Sequence, residues 1–203
     1  MSGHLYVFSG LGGAGKTTAL QLLQRGLSKR RVRVWGGHWE RDTPVANILA
    51  EHARRARISP TDEIGWVALR RRLLAQPGTR QQLVKTLVTF LQRCKAEVIL
   101  LDNVTEPGLV KALRKQLDVT LVVVAAPFAQ RLLRRRRRNK SIDQDLTRKE
   151  LQQRDRRKAS RIRSITKQDP AVQVRNTTRI ALQRAMNRLA ERITWQQHRP
   201  DRR

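Results

Sequence analysis

The amino-acid sequence predicts an α/β fold in which helices cover both faces of a parallel β-sheet. Short apolar segments bounded by glycine or by charged residues alternate along the chain with segments of helical periodicity, and this alternation is typical of parallel sheets. The length of 203 residues suits one domain. Since 39% of the residues are hydrophobic but only 4% are aromatic, we expect aliphatic side chains to fill the core.

Five segments are predicted to be buried strands because each is short, apolar and bounded by turn-forming or charged residues. They are residues 4–9 (HLYVFS), 32–35, 97–102 (EVILLD), 119–125 (VTLVVVA) and 172–174. The second strand is expected to end at Gly36 and Gly37.

Helices are predicted between these strands. Residues 16–28 place their leucines at helical spacing directly after the first strand. Residues 44–94 are also helical in pattern, with breaks near Ser59-Pro60 and Pro77-Gly78, so we expect three helices in succession there.

The composition is strongly basic: 44 Lys and Arg against 16 Asp and Glu give a formal net charge of +28. Such a charge attracts polyanions, which makes nucleic acid, a ribosomal surface or an anionic membrane a candidate neighbour. An arginine-rich composition without a polyanion partner is the alternative. The charge is densest between residues 131 and 163, which hold 15 Lys and Arg and four acidic residues, with five consecutive arginines at 134–138. Two basic helices with a polar break at 139–145 are expected there.

The cysteine content and the lack of targeting or membrane-spanning patterns indicate the cellular compartment. Its single cysteine, Cys94, rules out an intrachain disulfide framework and suits a reducing compartment. The N-terminus has no signal-peptide pattern, and no segment approaches the ~18 apolar residues of a membrane span. We expect a soluble cytoplasmic protein.

A glycine-rich segment between the first strand and the first helix carries the most specific motif. Residues 10–17 (GLGGAGKT) fit the phosphate-binding loop, or P-loop, pattern G-x-x-x-x-G-K-[ST]. There, backbone N–H groups surround the phosphates, the lysine reaches the β- and γ-phosphates, and the hydroxyl binds magnesium. We expect a nucleoside triphosphate with Mg²⁺, Lys16 as a catalytic cation and Thr17 on the metal. The predicted nucleotide site consists of Gly10, Leu11, Gly12, Gly13, Ala14, Gly15, Lys16, Thr17 and Thr18.

An acidic residue ends the third predicted strand. In sheets of this kind that strand ends beside the phosphate loop, so Asp102 is expected to hold the magnesium, as a Walker-B acid does. An acid that only caps the next turn is the alternative. The P-loop and the strand together favour the metal role.

The segment GGHWERD after the second strand lies where a second substrate would enter. Here His38, Glu40 or Asp42 would orient or deprotonate an attacking hydroxyl, because phosphoryl transfer depends on positioning and charge stabilisation. His38 and Asp42 are therefore candidate catalytic residues. Trp35 and Trp39 would either stack on a ring of that substrate or belong to the core.

The basic segment 131–163 resembles a lid that folds cations over a transferring phosphoryl group. Arg138, Lys140 and Arg154 frame its polar break, and Arg138 is our candidate catalytic arginine. Five adjacent arginines on a helix spread over all its faces. We therefore expect residues 134–137 to face outward, toward solvent or a polyanion.

The order of these features resembles the P-loop nucleotide kinases, and among them dephospho-CoA kinase and its relatives, over nearly the whole chain. The segments that carry the resemblance are VFSGLGGAGKTT, VILLDNV, the stretch from LVVVAAPF through the arginine run, and VQVRN. The resemblance implies a P-loop NTPase three-layer sandwich with a five-stranded parallel sheet and a basic helical lid. It also implies ATP as the phosphoryl donor and Asn176 as a nucleotide-site residue. Dephospho-CoA kinases carry an Asp shortly after the second strand, near the position of His38 here.

Two functional hypotheses follow. The first is an ATP-dependent kinase that moves the γ-phosphoryl of ATP to a nucleotide-like small molecule. In it, residues 1–203 form one domain, residues 36–94 form a helical insertion on the acceptor side, and residues 131–163 form the lid. The second is a nucleotide-switched ATPase, or a polynucleotide kinase, that holds nucleic acid or a ribosomal surface through its basic lid and C-terminal helix. Neither indicates a membrane partner or an oligomeric state.

Overall fold

The computed structural model describes residues 3–59, 62–137, 147–167 and 171–198. These form a five-stranded, all-parallel sheet with the order β2-β3-β1-β4-β5. The elements follow the chain as β1 (His4–Ser9), α1 (Lys16–Ser28), β2 (Val34–His38), α2 (Val45–Arg55), α3 (Glu63–Ala75), α4 (Pro77–Arg93), β3 (Val98–Asp102), α5 (Pro107–Arg114), β4 (Val119–Ala125), α6 (Phe128–Arg137), α7 (Arg148–Thr166), β5 (Val172–Arg175) and α8 (Arg179–Gln197). The predicted α/β class and the five parallel strands are confirmed.

Side chains of the central strands point alternately to two cores, one on each face of the sheet. Leu5 and Val7 of β1 face the core that α2, α3, α4, α5 and α7 cover. Tyr6 and Phe8 of the same strand face the core that α1 and α8 cover. This three-layer arrangement brings the carboxyl ends of β1, β2 and β3 to one edge of the sheet, where ligands of open α/β sheets bind.

The boundaries of β2 differ from the prediction. The strand was expected to cover residues 32–35 and to end at Gly36 and Gly37, but it runs from Val34 to His38 and includes both glycines. Gly36 pairs with Leu100 and Gly37 with Leu101 in a parallel ladder with β3. A Cβ on Gly37 would lie 2.9 Å from Asp42 Cβ and from the Trp35 ring. Sheet pairing and close packing thus override the low strand preference of glycine, and His38 belongs to the strand end.

The helices agree with the prediction. Residues 44–94 form three successive helices, and Pro77 begins the third at a position where its missing N–H costs nothing. The predicted polar break at 139–145 lies outside the described residues, between α6 and α7. Cys94 caps the C-terminus of α4 as a free, half-buried thiol. Among the described helices, none combines the length and the apolar character needed to cross a bilayer.

Candidate active site

The P-loop connects β1 to α1 at the central edge of the sheet. Gly13 and Gly15 have φ angles of 75° and 92°, in the left-handed region that side chains with a Cβ rarely adopt. A Cβ on Gly13 would also lie 2.6 Å from the backbone oxygen of Arg131. The loop therefore requires glycine at these two positions, and Gly15 directs the N-terminus of α1 toward the predicted phosphate site.

Thr17 and Asp102 meet beside this loop. Thr17 Oγ1 donates a hydrogen bond to Asp102 Oδ2 at 2.8 Å. Asp102 is 5% exposed, and its other oxygen, Oδ1, is buried without a hydrogen-bond partner among the described residues. Since Mg²⁺ prefers hard oxygen ligands such as carboxylates and hydroxyls, this pair and its orphaned oxygen fit a magnesium ion.

The other predicted nucleotide-site residues surround the same loop. Lys16 is half-buried at the start of α1, and its Nζ lies 3.4 Å from the backbone oxygen of Leu11. Thr18 is exposed in the first turn of the helix. Asn176 is buried at the end of β5, where its Nδ2 donates to the backbone oxygen of Ala14 at 2.7 Å and its backbone N donates to Ala125 at 2.7 Å. Asn176 thereby ties the last strand to the P-loop.

Arginines of α6 cover the P-loop, which corrects the expectation that residues 134–137 all face outward. Arg134 donates to the backbone oxygen of Gly13 at 3.3 Å and to Asn176 Oδ1 at 3.4 Å. The guanidinium of Arg135 lies directly against Gly12. Only Arg136 and Arg137 of this group are exposed. The sequence shows a run of arginines but not which side of α6 packs on the loop.

A buried ion pair determines that packing. Arg131 Nη1 lies 2.5 Å from Asp155 Oδ2, and Arg135 Nη2 lies 3.4 Å from Asp155 Oδ1. Arg131 also donates to the backbone oxygens of Ala126 and Gly12. Asp155 of α7 thus holds two arginines of α6, and α6 against the P-loop, through a pair that is costly to break because both partners are buried.

His38 lies next to Asp102 in the sheet ladder, on the acceptor side of the predicted site. Its backbone N donates to Asp42 Oδ2 at 2.7 Å, and its ring Nδ1 accepts from the backbone N of Glu40 at 3.2 Å. The neutral ring therefore carries its proton on Nε2. Burial and the charge of Arg41 lower the pKa of His38 to about 4. This geometry suits hydrogen-bond donation from Nε2, while Asp42 is an exposed carboxylate that orders the loop.

Glu40 forms an ion pair with Arg70 of α3. Arg70 is the first site residue that the sequence analysis did not identify. Arg70 Nη1 lies 2.8 Å from Glu40 Oε1 and 3.1 Å from Oε2, and both side chains are less than 20% exposed. Burial raises the pKa of Glu40, and the charge of Arg70 opposes this shift. The pair connects α3 to the segment that follows β2.

Lys158 in the middle of α7 is the second residue that sequence reasoning missed. It is half-buried and makes no hydrogen bond to another described residue. Burial, reinforced by the charges of Lys16, Arg70 and Arg135, lowers the pKa of Lys158 to about 7, with Asp102 acting in the opposite direction. A half-buried lysine whose pKa is lowered by the charges of three other cations is a candidate for binding an anionic ligand.

The remaining described residues among the predictions, Arg154, Trp35 and Trp39, do not join this cluster. Arg138 and Lys140 lie outside the described residues, and Arg154 is on the exposed side of α7. Trp39 is 1% exposed within the core, and Trp35 packs edge-on against Phe90 of α4. Both indoles therefore belong to the core rather than to a stacking site.

Comparison with known proteins supports the fold. No protein-family model matches the chain, and no curated protein matches it in sequence. Several solved structures, however, are similar to it in fold. A shikimate kinase from Acinetobacter baumannii superposes with a TM-score of 0.53 at 14% identity, covering 97% of this chain and 96% of that one. A sugar kinase from Janibacter sp. superposes with a TM-score of 0.51 at 17% identity, and the match covers 98% of this chain and 97% of that one. The Thermus thermophilus protein TT1252 superposes with a TM-score of 0.55 at 16% identity, and the match covers 95% of this chain and 98% of that one. The chain has the fold of P-loop kinases.

Proposed function

We propose that this protein is an ATP-dependent phosphotransferase that moves the γ-phosphoryl group of ATP to a nucleotide-like, anionic small molecule. The observation that carries the proposal is the Thr17–Asp102 hydrogen bond of 2.8 Å beside a glycine-dependent P-loop, with Asp102 Oδ1 left unpartnered among the described residues. The kinase folds of the structural neighbours are consistent with it. ATP as donor is also consistent with a cytoplasmic location.

The donor would lie on the P-loop. Backbone N–H groups of residues 10–18 surround its phosphates, Lys16 reaches the β- and γ-phosphates, and Asn176 keeps the loop in shape through Ala14. Mg²⁺ would be held by Thr17 and Asp102, and it would neutralise part of the negative charge of the phosphates. Arg134 and Arg135 complete a positive enclosure around the loop.

Transfer requires that an acceptor oxygen attack the γ-phosphorus as the bond to the departing ADP breaks. Lys158, whose pKa is lowered by the charges of Lys16 and Arg70, would stabilise the charge on the transferring group. Glu40, held by Arg70, is the candidate acceptor of the hydroxyl proton. His38, whose Nδ1 accepts from Glu40 N, would donate a hydrogen bond from Nε2 to the acceptor. Asp42 and Arg138 remain further candidates for catalysis.

The acceptor would enter between the 36–94 segment and the 131–163 lid. A cleft of about 250 Å³ there is lined by Arg71, Arg80 and Arg161, with Glu106 as its acidic residue. Glu106 already accepts from Arg161 Nη1 at 2.5 Å. The excess of arginine favours an acceptor with its own phosphate or carboxylate over a neutral one. Among nucleotide-like acceptors, dephospho-CoA is the first to test.

An acceptor screen tests this proposal. Purified protein with magnesium-ATP is given dephospho-CoA, nucleoside monophosphates, shikimate, neutral sugars and 5′-hydroxyl oligonucleotides, and ADP formation is followed. We expect ADP formation that depends on one anionic small acceptor. ATP consumption stimulated by nucleic acid alone, without phosphorylated oligonucleotide, would instead support a nucleotide-switched ATPase, and a phosphorylated 5′ end would support a polynucleotide kinase.

A further inference from the structure

Helices α1 and α8 form an outer layer of the molecule whose charge the proposed reaction does not use. The two helices pack along each other: the Cβ of Ala190 lies 3.2 Å from the Cβ position of Gly26, and Arg30 Nη2 forms an ion pair with Glu191 at 3.0 Å. Together they cover the face of the sheet opposite to α2–α5 and α7. We call their solvent side the α1–α8 face.

Six cations are exposed on this face: Arg25, Lys29, Arg31, Arg184, Arg188 and Arg192. None of them forms an ion pair with another described residue. Glu191 is the single acidic residue in segments 16–31 and 179–198, and Arg30 already pairs with it. On α2, by contrast, Arg54 and Arg55 both pair with Glu51. Among the described residues, no acidic side chain therefore compensates the charge of these six cations.

Three of these cations form a line. Arg184, Arg188 and Arg192 are four residues apart, so they form one stripe along α8 at intervals of about 6 Å. Beside the stripe, a groove of about 360 Å³ between the helices is lined by Arg25, Lys29 and Arg30 together with the amides Gln183 and Asn187. A row of cations next to a polar groove complements a row of phosphates.

An aromatic side chain lies on the same side of α8. Trp195 is 57% exposed and follows Arg188 by seven residues, which places it in line with the stripe. Exposed aromatic rings flanked by arginine provide stacking surfaces for unpaired bases.

We infer that the α1–α8 face binds single-stranded nucleic acid, with the arginine stripe on the phosphate backbone and Trp195 stacked on a base. A membrane surface is the competing polyanion, but a membrane-bound helix inserts its apolar face into the lipid. The apolar residues Leu182, Met186, Leu189 and Ile193 of α8 are buried against the sheet. Only Ile180 and Trp195 remain as large exposed apolar side chains among the described residues of this helix.

This inference is independent of the phosphotransfer reaction, because the six cations lie on the solvent side of α1 and α8 and none belongs to the proposed catalytic site. It moves the nucleic-acid site of the second sequence-based hypothesis, which used the basic lid and the C-terminal helix, to the α1–α8 face. Residues 134–137 are not part of it, since Arg134 and Arg135 contact the P-loop.

The test is binding of a fluorescent single-stranded RNA of about 20 nucleotides to the full chain at several salt concentrations. The stripe variant R184Q/R188Q/R192Q is compared with K85Q/R93Q/K115Q, a control with the same charge change at exposed cations that form no ion pair with another described residue, and with R136Q/R137Q. We expect the stripe variant alone to lose at least tenfold in affinity, and its slope of log affinity against log salt to fall by about 0.7 per lost phosphate contact, or about 2 in total. W195A should weaken binding without changing the slope.

A loss in the three-charge control variant equal to that in the stripe variant would overturn the inference, because both remove three charges and net charge alone would then determine binding. So would wild-type protein that binds vesicles of anionic lipid but not RNA. Stripe and control variants should have the same thermal stability and the same turnover of the small acceptor, which separates failure of this inference from failure of the proposed reaction.

Discussion

Thr17 Oγ1 and Asp102 Oδ2, 85 residues apart in the chain, are joined by a hydrogen bond of 2.8 Å between the first turn of α1 and the end of β3. The bond uses one carboxylate oxygen and leaves Oδ1 buried without a described partner. An unpaired buried oxygen of this kind carries a free-energy cost of about 1–3 kcal/mol. Occupation by a cation would remove that cost and would place positive charge beside the P-loop.

Asp102→Asn is expected to lower turnover by at least about 100-fold while changing nucleotide affinity little, because the P-loop backbone holds the phosphates and the carboxylate acts on the metal. The measurements are kcat, ATP affinity and magnesium dependence. Asp118→Asn, the same change at an exposed carboxylate after α5, is the control. Unchanged turnover and magnesium dependence in Asp102→Asn would remove Asp102 from the site.

Lys16→Ala is expected to abolish productive ATP binding and to leave the fold intact, since the proposal places this half-buried point charge on the β- and γ-phosphates. Calorimetric titration with magnesium-ATP measures the binding, and circular dichroism checks the fold. Lys85→Ala, at an exposed lysine of α4, should bind normally. If Lys16→Ala bound ATP with wild-type affinity, the P-loop assignment would be wrong.

Lys158→Gln is expected to lower kcat by about 10- to 100-fold with a smaller change in KM, because the amine acts on charge that develops during transfer. Its thermal stability should equal or exceed that of the wild type, since the substitution removes a half-buried cation that lies among other cations. Lys149→Gln, an exposed lysine of the same helix, is the control. A stability loss with unchanged kcat would assign Lys158 a structural role.

The pKa of His38 predicts an acid-dependent loss of stability. Its folded-state value of about 4 lies below the ordinary value of 6.5, so the unfolded chain binds more protons between these two pH values. The free energy of unfolding should therefore decrease as the pH falls from about 6.5 to 4. Denaturant unfolding of wild type and His38→Gln at several pH values isolates the contribution, and the variant should lose less stability. Parallel pH curves would contradict the burial of a neutral imidazole.

Short sequence patterns predicted those parts of the candidate site that are formed within a single segment of the chain. The P-loop and Asp102 could be found in the sequence because a glycine-dependent turn and a strand-end acid need only their own segments and the alternation of strands and helices. Gly36 and Gly37 were misjudged because pairing with β3 fixed the end of β2.

The residues that sequence reasoning missed or misplaced depend on tertiary packing. Arg134 and Arg135 turn inward because Asp155 of α7 orients α6, and a charge-rich helix does not reveal its packed side through apolar periodicity. Lys158 resembles the other cations of α7 in sequence, and only the structure shows that it is half-buried near Lys16 and Arg70. One available signal was Asp155, the single acidic residue within residues 151–163.

The most direct test of phosphoryl transfer is the fate of the γ-phosphorus, followed by phosphorus NMR in a reaction with magnesium-ATP and the acceptor that gives the highest turnover in the screen. The proposal predicts that ADP and a phosphorylated acceptor accumulate in equal amounts, that inorganic phosphate stays at the background level, and that Asp102→Asn suppresses both products. Inorganic phosphate formed in step with ADP, with no phosphorylated acceptor under any condition of the screen, would contradict it.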